Sequence, residues 1–267
     1  MRIFGILAAI ALFAVATASA HDVWVQANTA VVRVGDVVHA DLMLGNHGND
    51  HRDFKLASKL NPEAAATFEV VTPKGKRIDL RPALVDLGYT PAEGFHSARF
   101  ITAEPGLYAI AQTRDQLLNF GKPKRVIGSA KTYFVASRSL DKVDADQPGF
   151  DRPLGHRLEL VPEANPVTSM GPESPIKLRL LMDGKPVKGV KVSFIPRGVT
   201  LKEGLDEGYE RLTDELGRAS FTPKLGTYHL VVAHLERPEE RGEGYETTHY
   251  SATLTVYVPA VCPCCGA

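Results

Sequence analysis

The chain has 267 residues, 44% of them hydrophobic, with 31 Lys and Arg against 31 Asp and Glu. That balance excludes nucleic acid or an acidic membrane surface as the main partner, because either would select a strongly basic face. The three cysteines, Cys262, Cys264 and Cys265, all fall in the last six residues, so no disulfide can staple the fold.

Residues 1–20 carry one charge, Arg2, followed by an apolar stretch from Ile3 to Val15 and small residues ending in Ala18-Ser19-Ala20. A positive start, an apolar middle and an A-x-A site make up a secretory signal, and the apolar run is too short for a membrane span. The expected product is an exported chain, periplasmic or secreted and not an integral membrane protein, that begins at His21. Without Arg2 it keeps 30 basic against 31 acidic residues in 247 positions, enough for one large or two ordinary domains.

From there the chain is dominated by short alternating runs punctuated by Gly and Pro. "VVRVGDVVHADLML" (31–44) sets Val38, Ala40, Leu42 and Leu44 on one face and His39, Asp41 and Met43 on the other, the pattern of a half-buried strand. Similar runs recur at "ATFEVVT", "ARFITA", "LYAIAQT", "AKTYFVA", "IKLRLLM", "KVSFIP", "YHLVVAHL" and "SATLTVYVP". Helical periods are few; "SKLNPEAAA" and "RDQLLNF" read as a turn or two each.

A weak internal repeat organises these strands. "HSARFITAEPGLYAIAQTRD" (96–115) and "GRASFTPKLGTYHLVVAHLE" (217–236) both run Ala-x-Phe, a short turn, Gly-x-Tyr and an alternating strand, and each is followed by a closing strand. The fold class expected is all-β, with two β-sandwich domains of immunoglobulin or Greek-key type. Their bounds are 21–137 and 154–260, joined by a charged linker at 138–153 and followed by a Cys-rich tail at 261–267. In the second half, Gly184, Pro186 and Gly189 shape one turn and Asp214 and Gly217 another, all structural.

Histidines carry the candidate chemistry. Once freed, His21 offers an α-amine and a ring nitrogen to one cation, and both shed protons near neutral pH when a metal competes. The polar loop "GNHGNDHRD" (45–53) adds His47 and His51, so His21, His47 and His51 are the candidate metal ligands. His229 and His234 are five apart on one strand and point to opposite faces, His96 and His249 precede strands, and His39 and His156 read as surface residues. The three tail thiols form a separate candidate for Cu(I) or Zn, or pair as Cys262 with Cys265. No G-x-S-x-G, H-E-x-x-H, Walker or G-x-G-x-x-G pattern is present, so no catalytic residue is assigned and the expectation is a protein that is not an enzyme.

The start "HDVWV", together with "VGDVVHADLMLGNHG", "LGHRLELVPEANP", "DGKPVKGVKV", "TDELGRASF" and "YSATLTVYV", resembles the DUF4198 family of exported proteins, described as periplasmic components of cobalt or nickel uptake systems. The resemblance implies a β-rich, non-catalytic metal-associated protein with ligands near its mature N-terminus, His21 first and then His47. It also implies a membrane metal transporter as partner and nickel or cobalt as the ion. Nitrogen donors by themselves favour copper, so copper stays open. Two other readings stand beside this one: a copper oxidative enzyme with an N-terminal histidine clamp, and a structural or adhesive module without metal.

Overall fold

Alternation becomes strands throughout the computed structural model, which describes residues 21–45, 47, 62–88, 93–119 and 121–260. The first half supplies β1 (Asp22–Ala27), β2 (Val31–Arg33), β3 (Val37–Gly45), β4 (Ala65–Val71), β5 (Arg77–Asp79), β6 (Val85–Asp86), β7 (His96–Ile101), β8 (Gly106–Leu118) and β9 (Lys124–Ser137). The second supplies β10 (Leu158–Pro162), β11 (Ile176–Met182), β12 (Lys185–Pro186), β13 (Lys191–Pro196), β14 (Glu210–Leu212), β15 (Arg218–Phe221), β16 (Tyr228–Arg237) and β17 (Thr247–Tyr257). The fold is all-β and sandwich-like. Residues 51 and 261–267 lie outside the described residues, and with them His51 and the three cysteines.

Among the described residues, a nine-stranded sheet in the order β14-β13-β16-β17-β9-β8-β4-β5 spans both halves, with β2 added beside β9. Two four-stranded sheets cover it: β1-β3-β7-β6 from the first half, and β10-β11-β12 with β15 from the second. The halves meet where β17 pairs parallel with β9, from Thr247 opposite Lys124 to Thr255 opposite Thr132.

The sequence repeat has a direct counterpart. Each Ala-x-Phe strand, β7 or β15, lies in a small sheet, and each Gly-x-Tyr strand, β8 or β16, lies in the large one. Parallel pairing of the two closing strands keeps chain direction while exchanging faces, so the small sheets cover opposite faces of the large sheet. Alternation along β8 shows this. Tyr108 and Ile110 pack with Val23, Val25 and Leu42 of the first small sheet, while Leu107 and Ala109 pack with Leu160 and Leu178 of the second.

Three local expectations are corrected. "RDQLLNF" is not helical, because Arg114 to Leu118 continue β8 in register with Gly128 to Lys124, and a long ladder overrides weak local propensity. β3 is buried on both faces except at its start. Met43, expected to face outward, packs with Trp24, Leu230 and Val232, and Asp41 is 8% exposed. His156, read as a surface residue, is also 8% exposed, with both ring nitrogens buried and unpartnered.

Much of the "LGHRLELVPEANP" stretch is structural. Glu159 and Lys131, each 2% exposed, form a 2.6 Å ion pair between β10 and β9. The same carboxylate accepts backbone N–H bonds from Leu154, Gly155 and His156, which satisfies its remaining lone pairs. Asn165 caps the following turn by accepting from the backbone N–H groups of Val167 and Thr168.

Candidate metal centre

His21 directly precedes β1, and alternation along "HDVWVQ" sorts the side chains of that strand. Val23 and Val25 enter the core of the first half, whereas Trp24, fully buried, packs on Leu230 and Val232 of β16. The Thr253 hydroxyl of β17 donates to the Val23 carbonyl at 3.0 Å, and Arg197 donates to the Gln26 side chain at 3.0 Å. β1 is therefore fixed over the second half's strands, with exposed His21 directly before it.

Asp22 lies opposite Gly45 in the β1–β3 register, with His21 one residue before Asp22 and His47 two residues after Gly45 in the chain. The His47 ring turns inward and is 2% exposed. It packs edge-on against Trp24, with ring centroids 5.7 Å apart, and its Nδ1 lies 2.9 Å from the Ile195 carbonyl. Burial, followed by the nearby Arg197 charge, holds the pKa of this imidazole down at about 3. The ring is thus neutral, Nδ1–H donates to the carbonyl, and Nε2 keeps a lone pair with no partner.

A second histidine pair gathers beside Asp22, the residue that follows His21. Glu236 lies opposite His249 and His234 opposite Ser251 in the β16–β17 register, so all four share the face that β1 crosses. The His234 and His249 ring centroids are 5.2 Å apart. His234 Nε2 is 2.7 Å from Asp22 Oδ1. Burial alone would lower the His234 pKa, but the Asp22 carboxylate outweighs it and raises the value. His249 is pushed down to about 4, first by burial and then by the His234 charge; its Nδ1 is buried, 3.7 Å from Glu236 Oε1 and without a hydrogen bond.

Beyond this pair, Arg114 lies over Gly128, where a Cβ would stand 2.6 Å from the Arg114 Nε and 3.0 Å from the Ser251 Oγ. A side chain at this position would have to displace the Arg114 side chain. Burial lowers the Arg114 pKa, and the Asp22 charge works in the opposite direction.

His234 and His249 were ranked low from the sequence because a register cannot be read from one strand. One signal was present: a hairpin centred on Gly242 and Glu243 sets residues 236 and 249 opposite one another. Among the described residues, no group of three or more His, Cys, Asp or Glu side chains is disposed to hold a metal ion. Also among them, no helix is long and apolar enough to cross a membrane.

Residues 18–237 match the family described as "Domain of unknown function (DUF4198)". No curated protein matches the chain. Similar solved structures include a biofilm-associated protein BSP domain, with a TM-score of 0.23, 14% identity, and coverage of 89% of this chain and 30% of that one. The full ectodomain of mouse nectin-like molecule 4 gives 0.22 and 12%, covering 89% and 64%. A DUF4785 family protein from Legionella pneumophila gives 0.24 and 12%, covering 78% and 52%. The chain spans less than two thirds of each of these structures.

Proposed function

The chain belongs to the DUF4198 family, and from that premise we propose that it is an exported transition-metal-binding protein whose ligands centre on the amino terminus created at His21. It serves nickel or cobalt uptake or handling in the periplasm and passes the ion to a membrane transporter. One observation supports the reading: His21 is exposed directly before Asp22, whose register partner Gly45 lies two residues before His47, a neutral imidazole with an unpartnered Nε2. An α-amine and imidazoles suit Ni, Co or Cu, whereas Mg and Ca prefer oxygen. His47 and His51 are the loop ligands of this reading.

Copper is the second reading, favoured by the nitrogen character of every ring near the N-terminus, since such donors bind Cu(II) more tightly than Ni(II) or Co(II). The test is metal-linked stabilisation: an ion that binds only the folded chain raises its melting temperature in proportion to ln(1 + [L]/Kd). Protein beginning at His21 should melt higher with Ni(II), Co(II) or Cu(II), and a chain with one extra residue before His21 should lose that rise. Equal behaviour of the two, or no rise in either, contradicts the proposal.

A further inference from the structure

We infer that His234 and His249 complete the site that His21 opens, giving four nitrogen donors to one ion: the α-amine, the His21 ring and these two imidazoles. Asp22 is the positioning residue that holds His234 in place. The inference rests on the reading of His21 as the mature amino terminus, and it narrows the ion to those preferring a tetragonal nitrogen set, Cu(II) before Ni(II).

The geometry supports this in four ways. First, imidazoles sharing one ion at about 2.0–2.1 Å per bond hold their centroids roughly 4.5–6 Å apart, and His234 and His249 stand at 5.2 Å. Second, Asp22 engages His234 Nε2, which fixes the proton there and leaves Nδ1 with its lone pair, as in the carboxylate–histidine pairs that orient metal ligands.

Third, His249 keeps a buried ring nitrogen without a hydrogen bond, on the ring that stands next to His234. Fourth, the residue preceding Asp22 is His21, so the α-amine enters within one residue of the His234 partner. The described side chains do not already stand as a three-ligand group, so the exposed His21 ring and its α-amine are the donors that close on the pair when an ion binds.

His47 stands apart from this set. It bonds the carbonyl of Ile195, which lies opposite Leu230. Leu230 is four residues, about 13 Å, along β16 from His234. The two ligand sets therefore give different experimental signatures.

The experiment uses the full mature chain with a free His21 amine, loaded with one equivalent of Cu(II) and observed by electron paramagnetic resonance. A tetragonal spectrum with several bonded nitrogens is expected. His234→Gln and His249→Gln should each remove one nitrogen coupling and weaken Cu(II) binding by about 10- to 100-fold, while Asp22→Asn weakens binding without changing the nitrogen count.

In the unmutated chain, substoichiometric Cu(II) should broaden the His234 and His249 ring resonances first, a readout independent of how the variants fold. The inference is overturned if both rings stay sharp and both variants bind as the parent does. Loss of binding on extending the chain before His21 would then leave the amino-terminal reading standing without these ligands. Unchanged binding after that extension removes both. Selective loss in His47→Gln or His51→Gln overturns the inference in favour of the loop ligands.

Discussion

His234 and Asp22, 212 residues apart in the chain, are joined by a 2.7 Å hydrogen bond between the imidazole Nε2 and the carboxylate Oδ1. The contact exists because the parallel pairing of β17 with β9 turns two sandwich-like halves into one continuous sheet, and β1 lies across the join. The first strand is thereby held against strands that belong to the other end of the sequence.

Trp24 is the apolar anchor of that arrangement, with 0% exposure between Met43, Leu230 and Val232. Trp24→Ala should cost about 3–5 kcal/mol. Urea unfolding monitored by circular dichroism measures the loss. A cost below about 1 kcal/mol would show that β1 is not held by this contact.

Lys131 and Glu159 carry charge into the interior at 2% exposure each. Lys131→Met leaves Glu159 with its backbone donors but without a counter-charge, and should destabilise the fold by about 3–5 kcal/mol. Unfolding midpoints of the parent and the variant at neutral pH test this.

Asp41 gives the clearest pH dependence. Burial raises its pKa to about 6, against an ordinary 3.8, although the Ser97 hydroxyl donates to it at 2.7 Å. The folded chain thus binds this proton more tightly than the unfolded chain. The group's contribution to stability grows as pH falls from about 6 toward 4 and is unfavourable above 6. Asp41→Asn should be more stable than the parent at pH 7.5, by at most about 3 kcal/mol, and should lose that advantage near pH 4. A constant difference between the two unfolding curves across this range would contradict the assignment.

How much of this was legible follows from where each residue's partners lie. The Ala-x-Phe and Gly-x-Tyr repeat announced its strands because period-two alternation is local, and the structure distributes them identically in the two halves. Met43 was misread as outward because its cover includes Leu230 and Val232 of β16, a strand of another sheet nearly 190 residues downstream. His234 and His249 depend on a hairpin register and on a docked first strand, neither of which a linear pattern encodes.

Gly128 tests the floor beneath the histidine pair. A side chain there meets the Arg114 Nε and the Ser251 Oγ. Gly128→Val should cost about 1–3 kcal/mol by overpacking. The penalty should shrink in an Arg114→Ala background, giving a coupling of about 0.5–3 kcal/mol in a double-mutant cycle. Additive effects would mean that Arg114 does not need the space glycine leaves.

The central claim is that cleavage before His21 creates a metal ligand, and calorimetric titration of Ni(II) tests it most directly. Two chains are compared, one beginning at His21 and one carrying a single extra glycine before it. The account predicts one ion per chain in the first and binding weaker by at least about tenfold, or 1.4 kcal/mol, in the second. Equal affinity in the two chains would contradict it.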